Sequence, residues 1–301
     1  MACFHPLQAF RVADGSVVFV ERGDVVQTLS LPCGRCNGCR LERARQWSVR
    51  ITHEMMMYPH GSSFVTLTYD DEHLPSDGSL RYGDFQVFAR ALRKRMKGPF
   101  FRPLRYFMCG EYGDDEFRPH YHAGLFGVTF REDRRYFRRT DAGFPVYTSS
   151  WLRELWPHGN HEIGELTTES AAYMARYTFK KVSGDLADAH YESVDKATGE
   201  VVWRVPEFCH MSLKPGIGSR WFDRFHGDVF PHDRVVVGGR VGPVPRYYYT
   251  LLKRRDPQML ENVQQERIMA AAERGGVDTT VERLADREKV LEARVSFYKR
   301  K

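Results

Sequence analysis

The spacing of apolar residues changes several times along the chain, and each change marks an element. From Arg40 to Met57 good helix formers run without Gly or Pro, and Leu41, Ala44, Trp47, Ile51 and Met55 recur at helical spacing, which predicts a long helix. Ser63–Tyr69 (SFVTLTY) alternates β-branched and aromatic residues as a strand does, and a turn and a basic helix over Tyr82–Lys97 follow. Arg105–Glu111 (RYFMCGE) and His120–Val128 (HYHAGLFGV) predict two strands joined by the polar loop Tyr112–Pro119, an antiparallel hairpin with a long connection. A further helix is predicted over Thr168–Val182. Upstream, the valine-rich pieces Ser16–Val20 and Asp24–Leu31 predict a hairpin. Beyond Tyr249 charged residues and alanine dominate, predicting two helices, Pro257–Arg274 and Thr279–Lys299, separated by Gly275-Gly276. Together these elements predict an α+β fold with a central antiparallel sheet and flanking helices. They divide the chain into a Cys-rich N-terminal cap (1–40), a main domain (41–250) and a charged helical tail (251–301).

Composition narrows the class. The chain has 301 residues, 42% of them hydrophobic, enough for a substantial core and too many for a disordered protein. Lys plus Arg number 45 against 39 Asp plus Glu, a net charge of +6 that favours a polyanionic partner without specifying one. No run approaches the length of a membrane span, and the N-terminus lacks the basic and apolar regions of a signal peptide, so the expectation is a cytoplasmic protein with no membrane partner. Two stretches could follow a nucleic-acid backbone: Arg131 to Arg139, with five arginines, and the Arg90–Lys97 helix face. Either is equally at home as solvated surface.

Three groups of residues carry chemistry. His120 and His122 flank Tyr121 on a predicted strand, where a period of two points both imidazoles the same way. If the hairpin sets Glu111 beside His120, a His-His-Glu set results, suited to magnesium or manganese rather than zinc. A bare H-x-H is otherwise a pair of unrelated histidines. Tyr173 and Tyr177, four apart on a predicted helix, share one face, and Lys180 follows along the same stripe. That pattern is either an aromatic packing stripe or a pair of nucleophiles beside a cation, since a phenol with a pKa near 10 needs help to attack. Cys33, Cys36 and Cys39 form C-x-x-C-x-x-C, and Cys3 could be a fourth thiolate if the N-terminus folds back; structural zinc fits, with unligated thiols or an iron–sulfur cluster as alternatives. His53-Glu54 starts like a zinc-protease motif but lacks the second histidine.

Taken in order, these motifs resemble the HUH replication initiators, in particular those of gokushovirus-type small single-stranded DNA phages of the Microviridae. Phe64–Thr68 resembles motif I, Arg118-Pro119-His120-Tyr121-His122 motif II, and Tyr173 to Lys180 the two-tyrosine motif III. Pro32–Arg40 and Met211–Gly218 are similar to segments of the same phage group, so the resemblance runs from about residue 3 to residue 225. Tyr121 departs from the usual aliphatic middle residue of motif II. The resemblance implies a metal site of Glu111, His120 and His122 on a central antiparallel sheet, with the tyrosine helix beside it. It further implies nicking of single-stranded DNA at a replication origin by a tyrosine, leaving a 5′-phosphotyrosine and a 3′-hydroxyl primer, with Tyr177 and Lys180 as the initiating pair and Tyr173 serving the next cycle. The sequence contains no phosphate-binding loop of the G-x-x-x-x-G-K-[ST] type, so strand separation and synthesis would come from a host helicase and polymerase. Two rival readings are a non-enzymatic zinc-stabilised DNA-binding protein and a plasmid relaxase or transposase of the same chemistry.

Overall fold

The computed structural model describes residues 3–96, 103–113, 117–176, 187–274 and 280–299. The chain falls into two compact units, residues 1–43 with 256–301, and residues 44–255. In the first unit β1 (Leu7–Val12), β2 (Val17–Val18) and β3 (Val25–Leu31) form an antiparallel sheet in the order β2-β1-β3. This corrects the hairpin expected from the two valine-rich pieces: β3 pairs along its length with β1, and the 16–20 piece adds only two residues to the far side of β1. The reason is burial, since Ala9 and Phe10 are inside while Phe19 and Val20 remain exposed. The long helix α1 (Asn37–Met55) follows, and its residues from Ala44 onward belong to the second unit.

The second unit is built on β4 (Ser62–Tyr69), α2 (Tyr82–Arg95), β5 (Arg105–Tyr112), β6 (Pro119–Phe126), β7 (Arg134–Arg139), β8 (Pro145–Ser149), α3 (Ser150–Leu155), β9 (Gly159–Glu165) and α4 (Thr168–Arg176). It is completed by α5 (Ala187–Tyr191), β10 (Glu192–Val194), β11 (Val201–Trp203), β12 (Phe208–Met211), α6 (Ser219–Val229), β13 (Arg234–Val237), β14 (Arg240–Pro243) and α7 (Arg246–Arg255). Seven strands form one antiparallel sheet in the order β12-β5-β6-β4-β9-β8-β7. The α+β class and central antiparallel sheet are therefore as expected. The tail helices of the first unit are α8 (Pro257–Arg274) and α9 (Val281–Lys299), and no described helix is long and apolar enough to cross a membrane.

The two faces of the large sheet differ, and the difference sets where chemistry is possible. Val65, Leu67 and Tyr69 of β4 alternate with half-buried Phe64, Thr66 and Thr68. The first set lies in a core with Tyr121, Phe85 and Phe88 of α2, and Leu152 of α3. Each such aromatic contributes about 1.5–3 kcal/mol by leaving water. Tyr121, the unusual middle residue of motif II, belongs to this core: it is fully buried, its hydroxyl accepts from Arg81 N at 2.8 Å, and it lies 2.9 Å from Tyr69 Oη. Burial pushes its pKa up to about 12, so this tyrosine is a structural post. On the opposite face Ile51 of α1 and Ala171 and Met174 of α4 cluster with Phe107 and Phe126, leaving the rest of that face polar.

A buried polar network fixes α1 to the Met211–Gly218 segment. Arg105 Nε donates to Glu54 Oε1 at 2.6 Å, Gly218 N donates to Glu54 Oε2 at 2.8 Å, and Arg50 Nε donates to Ile217 O at 3.0 Å. Gly218 has φ +82°, and a Cβ there would stand 2.6 Å from Tyr248 Oη, so only glycine fits. Beside it His53 stacks on Trp221 with ring centroids 3.5 Å apart, and its Nδ1 lies 2.8 Å from Tyr248 Oη. The His53-Glu54 pair that begins a protease-like motif is thus a packing device. Burial lowers the His53 pKa to about 3, so the folded protein holds it neutral while the unfolded chain protonates near 6.5. Its contribution to stability is complete above pH 6.5 and is lost as pH falls towards 3. Between pH 6.5 and 5 this one group should cost roughly 1.5–2 kcal/mol of unfolding free energy. Urea melts at both pH values should show that loss in the wild type, and a His53→Gln variant should show less of it; parallel pH dependences in the two proteins would refute the assignment.

Candidate active site

Strand register assembles the site. In the β5–β6 hairpin Glu111 pairs directly with His120, and His122 pairs with Cys109 on one side and Thr66 of β4 on the other. Residues facing each other across antiparallel strands share a face, so Glu111, His120, His122, Thr66 and Thr68 all look out of the polar face. Nε2 of His120 and Nε2 of His122 each lie 2.8 Å from the same carboxylate oxygen, Glu111 Oε1. Burial raises the Glu111 carboxyl, but hydrogen bonds and charge from His120 and His122 outweigh it and bring the pKa to about 2. Glu111 is therefore an anion at neutral pH.

The outer nitrogens of the rings are also tied. His120 Nδ1 lies 3.1 Å from Arg118 O, and because a carbonyl only accepts, Nδ1 carries the hydrogen. In the neutral ring Nε2 then presents a lone pair to an anionic oxygen, an arrangement that requires a cation between them, either a proton or a metal ion. His122 Nδ1 is held 3.0 Å from Thr66 Oγ1. Glu111, His120 and His122 form one of two described groups able to hold a metal ion. Two donors bound about 2.1 Å from an octahedral ion in adjacent positions lie about 3 Å apart, against about 3.4 Å for a tetrahedral ion with equal bonds. The observed 2.8 Å separations suit the octahedral case.

The helix that follows β9 brings Tyr173 to this cluster. Its ring is 5.5 Å from the His122 ring and 6.0 Å from Phe64, which itself stacks on His122 at 5.3 Å. Tyr173 is 41% exposed, so the phenol is open to a bound substrate. Gly124 permits the approach: a Cβ there would stand 2.9 Å from Met174 Cε and 3.3 Å from the Leu166 methyl groups. Tyr177 and Lys180, as well as the expected continuation of the helix to Val182, lie outside the described residues. Phe64, Thr66 and Gly124 carry no assigned role in the sequence; Phe64 and Thr66 lie in motif I, but their contact with His122 appears only once β4 is registered against β6.

The second group able to hold a metal ion is Cys3, Cys33, Cys36 and Cys39, in the first unit. Cys33 and Cys39 Sγ are 4.0 Å apart and Cys36 and Cys3 Sγ 3.9 Å, near the roughly 3.8 Å expected between sulfurs bound tetrahedrally at about 2.3 Å. Backbone N–H groups of Phe4, Arg35 and Cys36 donate to Cys36 or Cys33 sulfur at 3.4 Å. Burial raises the Cys36 thiol, but hydrogen bonds from Phe4 and Cys39 outweigh it and bring it to about 6, whereas burial and the neighbouring sulfurs push Cys39 to about 12. Full ionisation of the four thus requires a cation among them.

A family model described as a replication-associated protein of the ORF2 type matches residues 62–182, the stretch from β4 through α4. The replication-associated protein VP4 of Bdellovibrio phage phiMH2K is 36% identical over 266 residues, spanning 86% of this chain and 79% of that protein. Replication-associated protein ORF2 of Spiroplasma virus 4 is 32% identical over 289 residues, spanning 89% of this chain and 86% of its own length. This chain belongs to the replication-associated proteins of gokushovirus-type phages. A further replication-associated protein, ORF4 of Chlamydia phage 1, is 29% identical over 233 residues, 74% of this chain and 54% of that one. No solved structure matches the chain significantly. The replication-associated family thus comprises relatives that span both units of the fold, and its family model brackets all three site strands and the tyrosine helix.

Proposed function

We propose that this replication-associated protein initiates rolling-circle replication by nicking single-stranded DNA at the origin through a tyrosine. The observation that carries this reading is Tyr173, half exposed and 5.5 Å by ring centre from His122 of the Glu111-His120-His122 cluster. A divalent magnesium or manganese ion held by those three residues would supply Lewis-acid stabilisation of charge on the scissile phosphate. The protein's own groups do the rest. Phe64 and Thr66 keep the His122 ring in place, Arg118 O fixes the tautomer of His120, and α4 presents the phenol from one side of the phosphate. The phenolic oxygen attacks phosphorus, the bond to the 3′ oxygen breaks, and the phenolic proton is offset by one taken up at the departing 3′-hydroxyl. The phosphotyrosine bond retains the energy of the phosphodiester, so a later 3′-hydroxyl can reverse the step and rejoin the strand. Tyr177, four residues on, would provide a second nucleophile for the next round and Lys180 a cation beside it, with host helicase and polymerase extending the primer in the host cytoplasm. The direct test is incubation with single-stranded oligonucleotides tiling the genome that encodes the chain, with manganese or magnesium: a covalent adduct retained through denaturing electrophoresis is expected, and its absence across the whole set would overturn the reading.

The four cysteines are best read as a structural zinc site, because their sulfur spacings match tetrahedral thiolate coordination and the site lies in the unit remote in sequence from the histidines. Protein purified without added metal should contain close to one zinc per chain, and a Cys36→Ser/Cys39→Ser variant should lose it. Zinc retained in full by that variant would show that the ion sits elsewhere.

A further inference from the structure

We infer that the β7–β8 hairpin is a second contact site for single-stranded DNA, holding the strand that extends from the metal cluster across the polar face of the sheet. The inference rests on the nicking site proposed above for the path of the strand, and on independent features for its chemistry.

Register places the hairpin on the same face as the cluster. Thr66 pairs with both His122 and Glu162 of β9, so Glu162 faces the same way as the metal ligands. Tyr147 of β8 pairs with Ile163, which faces the opposite core, so Thr148 and Val146 return to the polar face and carry with them Arg135 and Arg138, their partners on β7. The Arg138 guanidinium confirms the parity by gripping both carboxylate oxygens of Glu162 at 2.8 and 2.9 Å. Four strand spacings separate β6 from β7, about 19 Å. A strand stacked at 3.4 Å per nucleotide crosses that distance in about six nucleotides, and an extended one in fewer.

The chemistry of β7 fits this ligand. Its sequence, Arg134-Arg135-Tyr136-Phe137-Arg138-Arg139, interleaves guanidinium groups with two aromatic rings, and Tyr136 and Phe137 are 60% and 56% exposed. Phe144, where the turn re-enters β8, is 54% exposed. Arginines alone have an ordinary explanation, since β7 is the edge of the sheet and charge on an edge strand discourages pairing with other chains. That explanation does not cover three exposed rings, which would promote such pairing. Stacking platforms for bases flanked by cations for phosphates account for both, and they suit a single strand because its bases are unpaired. A register shift between Tyr136 and Arg138 marks a bulge, which spoils the edge as a template for a further strand while leaving the side chains on display.

The test uses the full chain and a fluorescein-labelled single-stranded dT20, with anisotropy measured from 50 to 300 mM salt, alongside the adduct assay on a short oligonucleotide cut close to the nick. Tyr136→Ala/Phe137→Ala should weaken dT20 binding about tenfold or more with an unchanged salt slope. Arg135→Ala/Arg139→Ala should lower the slope of log affinity against log salt by about 1.4, the value for two lost contacts to a single strand. Both variants should still form the adduct on the short oligonucleotide. Unchanged dT20 affinity in the aromatic variant, with wild-type protein binding and forming adduct normally, overturns the inference and leaves the nicking site intact. Altered molecular mass in solution with unaltered DNA affinity overturns it in favour of a second copy of the chain on this edge. Loss of adduct in the wild type itself would instead count against the nicking site.

Discussion

Replacing both Tyr173 and Tyr177 by phenylalanine should abolish covalent adduct formation, slowing it by at least about 10⁴-fold, or more than 5 kcal/mol on the barrier. The substitution keeps the aromatic ring and removes only the oxygen that would bond to phosphorus. Tyr173 rests edge-on against His122 and Phe64 through its ring, so the packing of α4 survives the change. Each single variant should weaken or redirect the adduct, and mass spectrometry of the trapped species should locate DNA on the tyrosine that remains. An adduct that persists in the double variant, or maps to any other residue, would put the nucleophile elsewhere.

The metal ligands should matter almost as much. His122→Ala and Glu111→Gln should each lower the nicking rate by roughly 10³-fold or more, the scale of several kcal/mol of charge stabilisation at the phosphate. His120→Ala belongs in the same series. Raising magnesium or manganese should not restore the Glu111 variant fully, because the anion that both imidazoles face is gone. Circular dichroism spectra should stay native, since these side chains look out of the polar face, away from the aromatic core between α2, α3 and the sheet. Undiminished cleavage by any of the three variants would sink the proposed cluster.

The central strands are plain in the sequence because one of their faces is strongly apolar. β4 alternates cleanly, and the paired motifs on β5 and β6 lie on strands whose loop length permits only a hairpin. β9 escapes the sequence for the opposite reason: Gly159, Asn160, Glu162 and Gly164 make it polar on the face it shares with the histidines, which masks the alternation. β7 reads only as a charge run, because an edge strand buries almost nothing and so shows no apolar period. β1 is hidden by its length and by flanking turn residues, although it is the strand on which β3 depends. At the site, residue types and order point to Glu111, His120, His122 and Tyr173, but the supporting contacts do not follow from spacing. Thr66 meets His122 across 56 residues of sequence, and Gly124 matters for what it lacks, so neither announces itself by type.

The placement of the three proposed ligands in the middle of the sheet also governs how the site can fail. β5 and β6 are each paired on both sides, β5 between β12 and β6 and β6 between β5 and β4, whereas loops and edges are where folded proteins open first. Glu111, His120 and His122 therefore sit in backbone that separates only when the whole sheet does. Their convergence is as durable as the fold, so thermal loss of the site and thermal loss of the domain are one event, with no folded intermediate in which the ligand cluster has come apart.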